Sequence, residues 1–214
     1  MLYESSIQKA NLIMSLRSMG ISSKDVLNAI ETIPRELFLP SNFHSYAYEN
    51  NPLPIGFEQT ISQPYIVALM TEALNLKGNE IILEIGTGSG YQTSVLSLLS
   101  RRVYSIERIK PLLVNALLCF KKLKLTNIVS KHDDGFLGWT KLAPFDHLII
   151  TCAIKKIDDR LLNQIRYNGI CIAPVVTSSN QQRLKKIIVK DKRESDIWQD
   201  LGEVSFVPLV SDYD

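Results

Sequence analysis

Apolar positions recur at helical spacing early in the chain and gather into short solid runs later. In Ile21 to Pro34, "ISSKDVLNAIETIP", the residues Val26, Leu27, Ile30 and Ile33 return every three or four positions, which predicts a helix. Ser22 followed by Asp25 reads as its capping box, and Pro34 stops it. The first fifty residues read as helical overall. Asn50 to Pro64, "NNPLPIGFEQTISQP", has no period and is rich in Pro, Gly, Gln and Ser, so it reads as an irregular loop. Loops of that length in compact chains are usually functional. A helix over Tyr65 to Leu76 follows.

From there strands and helices alternate. Glu80 to Ile85 reads as a buried strand, Tyr91 to Ser100 as a helix, Val103 to Ile106 as a second strand and Pro111 to Leu123 as a second helix. In that helix Leu113, Leu117 and Phe120 form the apolar stripe. Pro111 suits its first turn, and Lys121, Lys122 and Lys124 suit the negative end of its dipole. Asn127 to Ser130, Phe145 to Thr151 and Gly169 to Val176 continue the strands. "LKKIIVK" (Leu184 to Lys190) and "EVSFVPLV" (Glu203 to Val210) read as closing strands, antiparallel to the rest. The alternation predicts an α/β fold with a doubly wound, Rossmann-like sheet, whose ligands sit at the carboxyl ends of the strands.

Composition narrows the class without naming it. The chain has 214 residues, 45% hydrophobic and 21% charged, a globular composition of single-domain size. A formal charge of +2 is too small to imply nucleic acid. The one dense basic cluster, Arg183, Lys185, Lys186, Lys190, Lys192 and Arg193, reads as an edge strand guarded by lysines. The N-terminal stretch has an early Glu4 and no apolar core of signal-peptide length, and no run reaches the roughly 18 apolar residues of a membrane span. A cytoplasmic location is expected. Cys119, Cys152 and Cys171 lie far apart in apolar sequence, so they read as buried free thiols, and His44, His132 and His147 show no ligand spacing; no metal is expected.

The chemistry concentrates in Ile82 to Leu96, "ILEIGTGSGYQTSVL". Gly86, Gly88 and Gly90 give G-x-G-x-G, whereas a dinucleotide fingerprint needs its third glycine at Tyr91, and the Gly-Lys-Ser/Thr ending of a phosphate loop is absent. Glycines after a strand that ends near Glu84 suit a ligand that lies close across the backbone and carries positive charge. S-adenosylmethionine, with its ammonium, sulfonium, carboxylate and adenosine, is such a ligand. Glu107 ends the second strand about 20 residues on, where a carboxylate accepts from both ribose hydroxyls, a requirement shared with nicotinamide enzymes. "HDDG" ends the third strand, offering Asp133 and Asp134 beside the adenine position, with an ordinary acidic turn as the plain alternative. The place after the fourth strand reads "TCAIKK", without the Asn/Asp-Pro-Pro-aromatic pattern of enzymes that methylate bases. No His-Asp or Lys-Tyr base is evident, which suits an acceptor already ionised at neutral pH, such as a carboxylate of pKa about 4.

"LPIGFEQTISQPYIVALMTEAL", "ILEIGTGSGYQTSVL", "VYSIERI", "APFDHLIIT" and "VSFVPLV" together resemble the protein-L-isoaspartate (D-aspartate) O-methyltransferase family, from about Ile21 to Val210. The glycine loop alone points only to the methyltransferase superfamily; "QTISQP" and "FVPL" make the resemblance specific. It implies a class I S-adenosylmethionine-dependent enzyme that methylates the α-carboxylate of isoaspartyl, and D-aspartyl, residues in damaged proteins, and nothing in the sequence calls for more than a monomer. It also implies one domain over 1–214, with 1–78 holding N-terminal helices and a substrate loop and 79–214 the core. Ser62 is implied as the active-site hydroxyl. The implied cofactor residues are Glu84, Gly86, Thr87, Gly88, Gly90, Glu107, Asp134 and Gly135, and Thr60, Ile61, Val207 and Pro208 are implied to line the peptide cleft. The chain departs from the family pattern at Asp133 and Val176, each in place of a glycine, and at Ser205, in place of an arginine. Asp133 predicts added negative charge near adenine or a strained turn.

Overall fold

The computed structural model describes residues 2–191 and 195–211. Two helices, α1 (Leu2–Ser18) and α2 (Lys24–Thr32), open the chain, followed by single 3-10 turns at Arg35–Phe38 and Ser41–Tyr46. Ser23, rather than Ser22, caps α2: its side chain accepts from the Val26 N–H at 3.3 Å. Ser22 is drawn away, its N–H and hydroxyl both donating to Glu72 at 2.8 and 3.0 Å. The predicted irregular loop contains a small antiparallel hairpin, β1 (Leu53–Gly56) and β2 (Gln59–Ile61), turned through Phe57 and Glu58 at positive φ. Helix α3 (Pro64–Ala73) follows directly, with Pro64 in its first turn, where a missing N–H costs nothing.

The core then alternates: β3 (Ile81–Ile85), α4 (Tyr91–Leu99), β4 (Arg102–Glu107), α5 (Lys110–Lys122), β5 (Ile128–His132), β6 (Phe145–Ile150), the short α6 (Asp159–Leu162), β7 (Ile165–Val176), β8 (Gln182–Ile188) and β9 (Ile197–Val204). These form a seven-stranded sheet in the order β5, β4, β3, β6, β7, β8, β9. The pairs from β5 to β7 are parallel, while β7 with β8 and β8 with β9 are antiparallel. The chain reverses its direction of travel across the sheet between β3 and β6. That reversal opens a crevice at their carboxyl ends.

Burial follows the parallel sheet: β3 and β6 are nearly continuous apolar runs covered on both faces, as parallel strands require. A further apolar cluster joins α1 and α2 to Ile61, α3 and the start of α4, so the N-terminal helices pack on the core. On α5 the buried face is Leu112, Leu113, Ala116 and Phe120, and Leu117 is exposed. Leu112 and Ala116 rotate the stripe away from the predicted one.

Three further readings change. Glu203 to Val210 is not one strand: β9 ends at Val204, and the chain beyond runs extended beside Ala153, with a parallel bridge to Pro208. The basic strand β8 lies inside the sheet, and Arg183 and Lys185 both pair with Asp200 on the edge strand β9. Lys192 and Arg193 of that cluster fall outside the described residues. Lys124 lies past the end of α5, in the left-handed region with φ 56°. Cys119, Cys152 and Cys171 are free thiols, the last two buried. Among the described residues no helix is long and apolar enough to cross a membrane.

Candidate active site

The crevice holds a cavity built on the turn after β3. Gly86 and Thr87 N–H both donate to the Ile106 carbonyl, at 2.9 and 3.2 Å, which folds the turn over the end of β4. Gly86 (φ +93°) must be glycine, since a Cβ there would stand 2.4 Å from Thr151 Oγ1. Gly90 (φ +89°) ends the turn, and its Cβ would meet the Phe120 ring at 2.7 Å, so this glycine seats α4 against α5. Gly88 differs: only Ile55 Cδ1, at 3.9 Å, lies near its missing Cβ. Its backbone is left open on the cavity side. Gly86, Thr87, Gly88 and Gly135 all lie on the cavity wall.

Glu107 closes the other side. Its Oε2 accepts from Gly88 N–H at 2.7 Å and its Oε1 from Ile109 N–H at 2.8 Å. A carboxylate has about four acceptor positions, so two oxygens fixed by amides retain capacity for a pair of ligand hydroxyls. The acid thereby joins the glycine turn and the start of α5 into one frame.

Two predicted acids stand behind the wall rather than on it. Glu84 is fully buried, accepting from Thr93 Oγ1 at 2.5 Å and Ser105 Oγ at 2.6 Å, and Ser105 Oγ also meets Thr87 Oγ1 at 2.5 Å. Burial pushes its pKa up to about 8, against the lowering effect of these hydroxyls. Glu84 is thus joined to the wall through a chain of hydroxyls that ends at Thr87. Asp134 is likewise buried: its Oδ1 accepts from Phe136 N–H at 2.8 Å and its Oδ2 from Ser211 Oγ at 2.8 Å, and Gly135 takes the wall position. Asp133 turns outward to Lys131 at 2.7 Å, and its backbone is not in the left-handed region. Neither the added charge beside the cavity nor the strained turn is found. Val176 sits in ordinary strand pairing opposite Gln182.

A second cavity adjoins the first, lined by Pro52, Gln63, Ile66 and Glu203 to Phe206. Thr60, Ser62, Thr151 and Val207 line both. Ser62 is half-buried between β2 and α3, Ile61 is buried in the N-terminal core beside it, and Pro208 borders the first cavity. Val207 is held by its carbonyl, which accepts from Ala153 N–H at 2.8 Å. Thr151 was missed by the sequence reading, though it ends the fourth strand where the fold places ligands; its hydroxyl donates to Gly86 O at 2.5 Å and ties the two cavity walls together. Gln92, Ile109, Leu209 and Val210 were also missed. The described residues lining either cavity include no histidine or lysine, and their acids are Glu107 and Glu203. Burial raises the Cys152 thiol to about 12, so it stays protonated at neutral pH.

A mostly parallel sheet with this strand order, a glycine turn after its first core strand and an acid ending the second define a class I S-adenosylmethionine-dependent methyltransferase fold. The family model for Protein-L-isoaspartate(D-aspartate) O-methyltransferase (PCMT) matches residues 7–214, and the chain belongs to that family. It is 46% identical to the protein-L-isoaspartate O-methyltransferase of Dictyoglomus thermophilum, across 96% of this chain and 92% of that protein. The Aliivibrio salmonicida relative of the same name is 50% identical, over 92% of each chain. A solved protein-L-isoaspartate O-methyltransferase superposes with TM-score 0.85 at 26% identity, covering 95% of this chain and 66% of that one. A Plasmodium falciparum structure described as a PCMT bound to S-adenosyl-L-homocysteine superposes with TM-score 0.80 at 25% identity, over 94% and 97%.

Proposed function

We propose that this protein transfers the methyl group of S-adenosylmethionine to the α-carboxylate of L-isoaspartyl residues, and of D-aspartyl residues, in damaged proteins, as a repair enzyme. The observation that carries the reading is the wall common to the two cavities: Thr60, Ser62, Thr151 and Val207 face a donor side and an acceptor side at once. Family membership over nearly the whole chain names the acceptor.

The residues suit the cofactor. Gly88 leaves backbone open to close approach, and Glu107 holds two fixed oxygens with spare acceptor capacity. Gly86, Thr87, Gly88, Glu107 and Gly135 would hold it, with Glu84, Gly90 and Asp134 shaping the wall from behind. When bound, S-adenosylmethionine supplies an electrophilic methyl group on a sulfonium. Ser62 donates a hydrogen bond that orients the acceptor carboxylate, a contribution of about 1 kcal/mol. Thr60 and Val207 hold the peptide on either side of it, with Ile61 and Pro208 shaping the adjoining wall of the first cavity. No base is required of the chain, since a carboxylate is ionised at neutral pH, and catalysis rests on orientation and exclusion of water.

The same reading takes the chain as one domain whose first 78 residues hold the N-terminal helices and a substrate loop, working as a monomer, since both sides of the site come from one chain. Three free cysteines support a reducing, cytoplasmic setting. The test is methyl transfer from labelled S-adenosylmethionine to an isoaspartyl peptide beside its normal aspartyl twin. Transfer to the first alone is expected; cofactor binding without transfer to either would overturn the reading.

A further inference from the structure

Arg35 is wholly buried in the turn Arg35–Phe38, outside every stretch on which the family resemblance rests. Its Nη1 donates to the Ala47 carbonyl at 2.7 Å, and its Nη2 donates to the carbonyls of Asn51 and Ser62, both at 3.0 Å. The guanidinium also stands 5.7 Å from the centre of the Tyr91 ring, and Phe38 packs edge-on against the same ring at 5.5 Å. Tyr91 is the first residue of α4, directly after Gly90, and lines the donor cavity. One side chain therefore touches the loop that carries Ser62 and the helix start beneath the glycine turn.

The placement is costly. A buried cation that meets only carbonyl dipoles and a ring face is poorly compensated relative to water, and a neutral apolar side chain in such a place is often no less stable. Burial lowers its pKa to about 10, which leaves it charged at neutral pH. What an apolar residue cannot do is hold three carbonyls from separate chain stretches in one plane. A planar fork of N–H donors does so, and the point charge of a lysine does not. The neighbouring side-chain ties, Gln63 Nε2 to Asn50 O at 2.8 Å and Tyr65 N–H to Asn50 Oδ1 at 2.9 Å, brace the same loop from its far side.

We propose that Arg35 is the positioning residue of the acceptor site: through the Ser62 carbonyl it fixes the Ser62 hydroxyl relative to the donor cavity. This rests on the proposed function, and the wild-type protein tests that reading separately by its transfer to isoaspartyl peptide. Arg35→Lys keeps the charge and Arg35→Gln keeps a planar donor, so each removes the three-carbonyl clamp in a different way. In whichever variant stays folded by circular dichroism, kcat is expected to fall about three- to fivefold, no further than in Ser62→Ala, while affinity for S-adenosylhomocysteine changes less than about twofold. In a Ser62→Ala background the same substitution is expected to lower kcat less than about twofold, because its route of action is already gone. A readout independent of turnover accompanies it: amide exchange over residues 60–65 is expected to accelerate at least tenfold, with that of 81–85 unchanged. An undiminished loss beside Ser62→Ala, a parallel loss of cofactor affinity, unaltered exchange over 60–65, or unfolding of both variants would overturn the proposal and assign Arg35 to general stability.

Discussion

Glu107 carries two jobs at once, accepting from Gly88 and Ile109 while facing the donor cavity. Glu107→Ala is expected to weaken S-adenosylhomocysteine binding about ten- to hundredfold by calorimetry, the scale of hydrogen bonds to a charged group. Ser62→Ala should instead lower kcat roughly fivefold and leave that affinity in place, since on the proposed function Ser62 meets the acceptor. Equal losses in both would mark Ser62 as structural. Glu84 makes a prediction about pH rather than turnover. Its folded pKa stands near 8 against an ordinary 4.5, so between those values the folded state binds more protons than the unfolded one. Its contribution to stability is full below about pH 4.5 and is lost as pH rises toward 8. Urea unfolding across that window should show a decline that Glu84→Gln flattens.

At the scale of elements the glycine turn separates shape from ligand contact. Gly90→Ala forces a Cβ into the Phe120 ring at positive φ, at a cost of about 2 kcal/mol, and should lower the melting temperature by several degrees. Gly88→Ala meets little around its Cβ but carries the strain of φ +53°, so it should lower the melting temperature less than Gly90→Ala while reducing cofactor affinity. Spacing alone gave both glycines the same role. The strands from Ile81 to Val176, with α4 and α5 between them, were legible because buried parallel strands are largely apolar runs bounded by turns, whereas the short α6 was not. Where side chains from distant segments decide, the sequence was silent: Ser22 yields the cap of α2 because Glu72 draws it off, and the hairpin within 53–61 hid in a stretch of Pro, Gly and Gln. The burial of Glu84 and Asp134 escaped for the same reason, since Thr93, Ser105 and Ser211 cover them from elsewhere in the chain.

Across the whole molecule the first cavity draws about half of its lining from strand ends between 85 and 135 and the rest from 59–67, 151–152 and 207–210, while the second joins three remote stretches around 52–66, 151 and 203–207. Amide exchange should report the two halves separately: the cofactor product is expected to slow exchange at 86–91 and 107–109, and an isoaspartyl peptide at 59–62 and 206–209. The acceptor slot, set between the β1–β2 hairpin and the extended chain beside Ala153, sets a further condition on what the enzyme meets. A damaged residue inside a client's helix or strand must leave its own hydrogen bonds before it can enter that slot. On the proposed function, the client's local opening equilibrium governs how fast it is mended, and lesions in tightly folded regions wait for rare fluctuations.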